Sequence, residues 1–299
     1  MIKDVDHSGP FEARYLAFLE TISTLRPSLH RYCARMTGSV MDGEDVVQEA
    51  LFEGYRKLDQ FDESRPLKPW LFRIAHNRCI DFLRRKGVRD EAEAAAAMPE
   101  AASPAQPTTL GIGKAVEHLV ASLPPKERAC VLLKDVFDYS LEEIAELVGS
   151  TVGGVKTALN RGRTKLAVTP PAANVSQNVE PELTQIMRLY IDRFNRRDWD
   201  GVRELIRADA RLNVADRFAG NLADAPYFSN YEKLPLHWKL AAGELDGEPV
   251  VIILQRSADT WTPYSVIRMQ VIGDRIERIV DYVHCPWVIS SAASVAIGL

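Results

Sequence analysis

Ser140 and Glu143 stand three residues apart at the head of the apolar run LEEIAELV. In that spacing a serine hydroxyl accepts from a backbone N–H while the glutamate reaches back to the cap N–H, so a helix starts at Leu141. Gly149 supplies the left-handed residue that ends it, and Thr151 can cap a second helix, VGGVKTALNRGRTKL. On that second helix Val155 and Leu159 fall on one face, while Thr151, Lys156, Thr157, Asn160, Arg161 and Arg163 occupy others. Amides, hydroxyls and cations so arranged do non-covalent chemistry: donors reach base edges in a major groove and cations meet phosphates.

Two further sets lie upstream. Asp42, Asp45, Gln48, Glu49 and Glu53 occur in a stretch without Lys or Arg. Asp45, Gln48, Glu49 and Glu53 share a helical face, with Val46, Val47, Ala50 and Leu51 left to pack inside, so an acidic surface is offered to a basic protein partner. The next stretch is basic: Phe61, Ser64, Arg65 and Lys68 precede Arg73, His76, Asn77, Arg78, Arg84 and Arg85. A basic stretch of this kind suits a phosphate backbone. Trp70 and Phe72 could stack on bases, but with Leu71, Ile74 and Ile80 they satisfy core spacing, and His76 reads as a polar surface residue near nucleic acid.

Acid–base chemistry has one candidate region. Asp281 as base and Tyr282 or Tyr190 as phenol donor would suit proton abstraction, although strand alternation puts Asp281 and Tyr282 on opposite faces. The competing reading makes Asp281, His284 and Trp287 interdomain docking residues. Cys33, Cys79, Cys130 and Cys285 lie far apart, without a CxxC pair or a histidine at ligand spacing, so they read as buried free thiols, with no metal and no cofactor expected.

The elements that position these groups follow from periodicity. Apolar residues such as Leu16, Leu19, Ile22 and Leu25 recur at helical spacing, so residues 11–87 form one helical module. An Ala/Pro/Ser-rich tract at 88–112 reads as a flexible linker. Residues 113–168 form a second helical module, broken at Pro124-Pro125, and 169–180 a second linker. Over 181–290 a helix is followed by runs such as PVVIILQR and YSVIRMQVIG, rich in β-branched residues, giving an α+β third domain. The chain is therefore multidomain: two all-α modules and then an α+β domain.

With 299 residues, 46% hydrophobic and 26% charged, the chain has the composition of an ordinary globular protein with room for two or three cores. Its net charge of −4 argues against wholesale nucleic-acid binding, but the basic residues are concentrated in two stretches. No run is long and apolar enough to cross a membrane, and the N-terminus lacks an apolar signal core, so a cytoplasmic location is expected.

The segment DGEDVVQEALFEGYRKLDQFD followed by SRPLKPWLFRIAHNRCIDFLRRK resembles regions 2.2 to 2.4 of bacterial RNA polymerase sigma factors. Residues 122–166 resemble their region 4 helix-turn-helix. With only the Ala/Pro tract between them, the likeness is to the extracytoplasmic-function (ECF) type. The resemblance implies a sigma factor, not an enzyme: Asp42, Asp45, Gln48, Glu49 and Glu53 on the clamp helices of core RNA polymerase, the 61–68 loop and basic helix on the −10 element, and region 4 on the −35 element and the flap. Residues 181–290, opening with PELTQIMRLYIDRFNRRDWDGVRELI, resemble SnoaL-like (NTF2-like) domains, a cone around a pocket suited to a small-molecule ligand. The implied role is regulation in cis by intramolecular contact with the sigma modules. The alternatives are a one-component, ligand-sensing helix-turn-helix regulator and a SnoaL-like isomerase or cyclase.

Overall fold

A computed structural model describes residues 10–62, 64–96, 122–168, 185–234, 237–292 and 294–298. Of the expected linkers at 88–112 and 169–180, residues 97–112 and 169–180 lie outside the described residues, as do residues 113–121. Two compact units are present, one helical and one α+β.

The helical unit begins with α1 (Pro10–Thr37) and α2 (Val40–Arg56). Gly38, at φ 83°, turns the chain, and the Ser39 hydroxyl accepts from the Asp42 N–H at 3.3 Å to start α2. The two helices approach backbone to backbone at Gly43, where an added Cβ would stand 2.5 Å from the Ala34 backbone. α3 (Leu67–Ala96) closes the bundle through Leu71, Phe72, Ala75 and Cys79, all buried. It runs nine residues past the expected boundary at Gly87, through the DEAEAAA segment, whose alanines and glutamates have strong intrinsic helix propensity. Leu16 and Leu19, part of the helical spacing, are exposed; the buried stripe of α1 is Phe18, Leu29, Tyr32, Cys33 and Met36.

α4 (Pro125–Val131) starts with proline at its first turn and runs into a wider π-helical turn over Leu132–Val136. α5 (Leu141–Leu147) and α6 (Val152–Val168) follow. These helices share one continuous core with α1–α3. Phe72 meets Phe137 at 5.7 Å and Tyr139 at 5.6 Å between ring centroids, and Tyr32 meets Phe137 at 5.9 Å. The buried Arg128 guanidinium donates to the Leu123 carbonyl and to the Met36 carbonyl of α1. The two helical segments expected as separate modules are thus packed together.

The second unit carries α7 (Gln185–Asn195), α8 (Trp199–Glu204), α9 (Tyr227–Glu232), α10 (Trp287–Ser291) and strands β1 (Ile206–Val214), β2 (Phe218–Asn221), β3 (Trp238–Leu245), β4 (Glu248–Ser257), β5 (Thr260–Ile272), β6 (Arg275–Asp281) and β7 (Val295–Ile297). They form one sheet in the order β2-β1-β6-β5-β4-β3-β7, antiparallel except for the β1–β6 pair. The expected α+β class is observed. Phe194 stands at the centre of its core, ringed by Tyr190, Trp199, Tyr227, Tyr231 and Trp238.

Candidate nucleic-acid and polymerase interface

The helix-turn-helix is assembled from local bonds. Glu143 N–H donates to Ser140 Oγ at 3.2 Å and the Ser140 N–H donates to the Glu143 carboxylate at 2.7 Å, completing the capping box. Gly149 takes φ 63°, and the Gly154 N–H donates to Thr151 Oγ1 at 3.1 Å, capping α6. Val155, Ala158 and Leu159 face the core. Gly162 packs against α4, where a Cβ would stand 2.8 Å from Val131 Cγ2. Thr151, Lys156, Thr157, Asn160, Arg161 and Arg163 are all exposed. Among the described residues Lys156 and Arg161 make no ion pair, whereas Arg163 holds Asp135 through Nε at 3.1 Å and Nη2 at 2.5 Å. Releasing it to a phosphate requires exchanging that carboxylate.

On α3 the spacing of Arg73, Asn77 and Arg84 places them on one face, and all three are exposed. Arg78 and Arg85 point elsewhere. They meet α2, where Arg78 bonds Glu53 at 2.5 Å and Arg85 approaches Glu49 at 3.6 Å; Lys86 lies 3.9 Å from Asp42. The acidic and basic sets, expected to serve separate partners, form a three-rung ladder between the two helices. Lys57 adds to Glu53 at 2.5 Å, and these cations hold the Glu53 carboxyl below its ordinary value against the burial that raises it.

Asp42, expected among the polymerase-binding residues, is buried at the head of α2, where its carboxylate faces Lys86 of α3. Asp45 and Gln48 are half-buried and Glu49 is exposed. A residue missed in the sequence is Phe52, 63% exposed and one helical repeat beyond Asp45; only its position opposite the apolar stripe could have flagged it.

His76 is a correction. Expected at the surface, it is 5% exposed, with Nδ1 2.9 Å from the Tyr32 hydroxyl, and burial pushes its pKa down to about 4. Trp70 is half-buried and meets Phe61 in a tilted contact, centroids 4.8 Å apart and planes at 44°. In the adjoining loop Asp62 accepts from the Ser64 N–H at 3.0 Å and its hydroxyl at 2.7 Å, fixing the turn. Lys68 lies over the Tyr139 ring at 5.5 Å, and Arg65 reaches Glu146 at 3.4 Å. Phe61, Arg65, Trp70 and Arg73 line a cavity of about 560 Å³ whose other wall carries Glu143 and Glu146.

In the second unit Asp281 is fully buried. Its Oδ2 accepts from the Tyr227 hydroxyl at 2.7 Å and the Tyr231 hydroxyl at 2.5 Å, and Oδ1 from the Val283 N–H at 2.8 Å. Burial raises its pKa to about 6, and the two phenols and the backbone N–H oppose the rise. Asp281 therefore cannot be a surface docking residue, since strand alternation turns it into the domain interior. His284 is exposed and Trp287 half-buried. Tyr190 and Tyr282 are buried, and the Tyr282 carbonyl accepts from the Ser265 hydroxyl at 2.5 Å.

Comparison with known proteins gives two family matches: sigma-70 region 2 over residues 21–89 and sigma-70 region 4 over residues 113–166. The chain is 33% identical to the ECF RNA polymerase sigma factor SigW of Bacillus subtilis over 166 positions, covering 50% of this chain and 87% of that protein. It is 26% identical to the ECF RNA polymerase sigma factor SigG of Mycobacterium tuberculosis over 313 aligned positions, covering 93% of this chain and 84% of that one. Among solved structures, the Mycobacterium tuberculosis ECF sigma factor SigJ matches with a TM-score of 0.36 at 16% identity, covering 88% of this chain and 95% of the other.

Proposed function

The chain belongs to the ECF sigma factors of RNA polymerase, and from that premise we propose how its residues divide the work of promoter recognition. The observation that carries the reading is the exposed polar face of α6, held outward by a complete capping box and a buried Val155–Ala158–Leu159 stripe. Thr151, Lys156, Thr157, Asn160 and Arg161 read and grip the −35 element, with Arg163 joining once Asp135 lets go. Lys156 and Arg161 supply the phosphate charge, and Asn160 and the threonines supply donors to base edges.

On α3 the exposed stripe of Arg73, Asn77 and Arg84 tracks the −10 strand, and Phe61, Ser64, Arg65 and Lys68 form the pocket for an unpaired base. Arg78 and Arg85 act differently. Tied to Glu53 and Glu49, they set the angle between α2 and α3 and position the stripe. Core polymerase, through its clamp helices, meets Asp45, Gln48 and the exposed Phe52; the helix-turn-helix leans on the flap.

Asp281 is structural in this reading: fully buried, its carboxylate ties two phenols and a backbone N–H together inside the domain. The second unit regulates polymerase engagement in cis, with His284 and Trp287 as docking residues, and it is not catalytic. No helix among the described residues is long and apolar enough to cross a membrane, and a cytoplasmic location suits a partner of core polymerase and promoter DNA.

The test is reconstitution of the full chain with sigma-free core polymerase and permanganate footprinting of a genomic promoter pool. Unpaired thymines clustered near −10, lost in Arg73→Ala/Arg84→Ala, are expected; footprints that survive that change sink the −10 assignment. Truncation after Ala167 is expected to alter promoter-directed transcription, and unchanged output rules out a regulatory second unit.

A further inference from the structure

We infer that α5, the first helix of the helix-turn-helix, doubles as an internal occupant of the −10 groove, with Glu143 and Glu146 standing where strand phosphates would lie. The inference rests on the proposed −10 role of Arg65 and Arg73. It starts from the cavity of about 560 Å³ between the 61–66 loop and α5. One wall offers Phe61 and Trp70 for stacking and Arg65 and Arg73 for phosphate, and the other presents two carboxylates. Arg65 already spends its charge on Glu146, 3.4 Å away.

Magnitudes separate what holds α5 from what α5 does. The Arg65–Glu146 side chains are 69% and 64% exposed, so water screens the pair and it contributes little to closure. Closure comes from the buried aromatics around Phe72, Tyr32, Phe137 and Tyr139, and from Arg128 bonded to the Met36 carbonyl. The acids act on the groove's selectivity: a phosphate entering beside Arg65 and Arg73 meets Glu143 and Glu146, and like charges in a narrow space repel. The recognition face of α6 is exposed in the same arrangement. The chain can therefore sample duplex DNA through α6 while its single-strand groove is filled, and capture of an unpaired base requires α5 to leave.

The experiment uses the full chain and a fluorescein-labelled thymidine 20-mer, read by anisotropy at low salt, with amide hydrogen exchange of residues 61–77 in parallel. In Glu143→Gln/Glu146→Gln, glutamine keeps the capping-box geometry while removing the charge. Its affinity for the oligonucleotide is expected to rise about two- to fivefold, the range an exposed ion pair allows, with faster exchange over the 61–66 loop. Asp138→Asn/Glu142→Gln removes the same net charge outside the cavity and is expected to leave both readouts unchanged. An equal gain in that control, or no change of either readout in the first variant, overturns the inference while leaving the −10 assignment intact. If adding Arg73→Ala/Arg84→Ala to Glu143→Gln/Glu146→Gln leaves the gained affinity for the oligonucleotide unchanged, the −10 assignment fails and the inference with it.

Discussion

The Tyr32 hydroxyl and His76 Nδ1 lie 2.9 Å apart inside the helical core, where burial holds the His76 pKa down. Phe72 packs on Tyr32 at 5.7 Å and Cys79 is buried one turn beyond His76, so burial disfavours a charged imidazole. The imidazole is therefore neutral, sharing one hydrogen bond with the Tyr32 hydroxyl through Nδ1.

A pH dependence follows with a definite sign. Burial lowers the His76 pKa from 6.5 to about 4, so between those values the unfolded chain binds a proton that the folded chain refuses. Stability from this group is fully present above pH 6.5 and is lost as pH falls toward 4. Thermal melts of the helical unit between pH 7.5 and 5 (about the window in which this linkage acts) are expected to drop on acidification, and His76→Gln to flatten the drop. A slope that survives the substitution assigns the effect to another group.

Asp281 gives the second unit the opposite slope. Its folded pKa is raised from 3.8 to about 6 by burial, so the folded state holds a proton more tightly and stability rises as pH falls through 6. Asp281→Asn is expected to remove that rise. Asp281→Ala strands two buried phenols and is expected to cost about 2–5 kcal/mol. Four of the five tryptophans, Trp199, Trp238, Trp261 and Trp287, belong to this unit, so denaturation followed by tryptophan fluorescence reports on it. A loss below about 1 kcal/mol would mean the phenols find other acceptors.

Two glycines of α6 separate propensity from packing. Glycine inside a helix costs about 1 kcal/mol against alanine, so propensity alone predicts a gain from replacing either. At Gly154 the nearest neighbour of an added Cβ is the movable Ser150 hydroxyl, 2.6 Å away; at Gly162 it is Val131 Cγ2 at 2.8 Å, with the Glu127 carbonyl behind it at 3.5 Å. Overpacking a fitted contact costs about 1–3 kcal/mol. Gly154→Ala is expected to hold or raise the melting temperature and Gly162→Ala to lower it. Equal shifts would show that α4 and α6 yield to a methyl group.

What could be read from the sequence was local. The capping box, the Gly149 stop and the Thr151 cap depend on residues within three or four positions, and all are present. The acidic–basic ladder was invisible because its rungs join residues 25, 36 and 44 apart along the chain (Glu53–Arg78, Glu49–Arg85, Asp42–Lys86), and charge runs carry no record of which helix they will face. His76 did leave a trace: it falls on the stripe of Phe72, Ala75 and Cys79, a core signature outvoted by its polarity. Asp281 likewise alternates with the buried Ile279, yet its phenol partners lie 54 and 50 residues upstream.

Phe52 carries the last prediction. A phenylalanine 63% exposed on a well-packed helix, touched only by the Arg56 guanidinium 6.0 Å over its ring among the described ring contacts, adds little to the fold, so its value lies with a partner. It follows Asp45 by seven residues and Gln48 by four, on the face of α2 turned from the core. Glu49 and Glu53, by contrast, are engaged with Arg85 and Arg78. Large aromatics at the centre of an interface carry more binding energy than charges at its rim. Phe52→Ala is therefore expected to change the melting temperature little, within about 0.5 kcal/mol, while weakening binding to core polymerase roughly tenfold or more. Glu49→Gln is expected to act through α3, reducing −10 opening more than polymerase affinity. If the glutamate change weakens polymerase binding and the phenylalanine change does not, the docking surface is the acidic ladder itself and the division of labour between α2 and α3 proposed above is reversed.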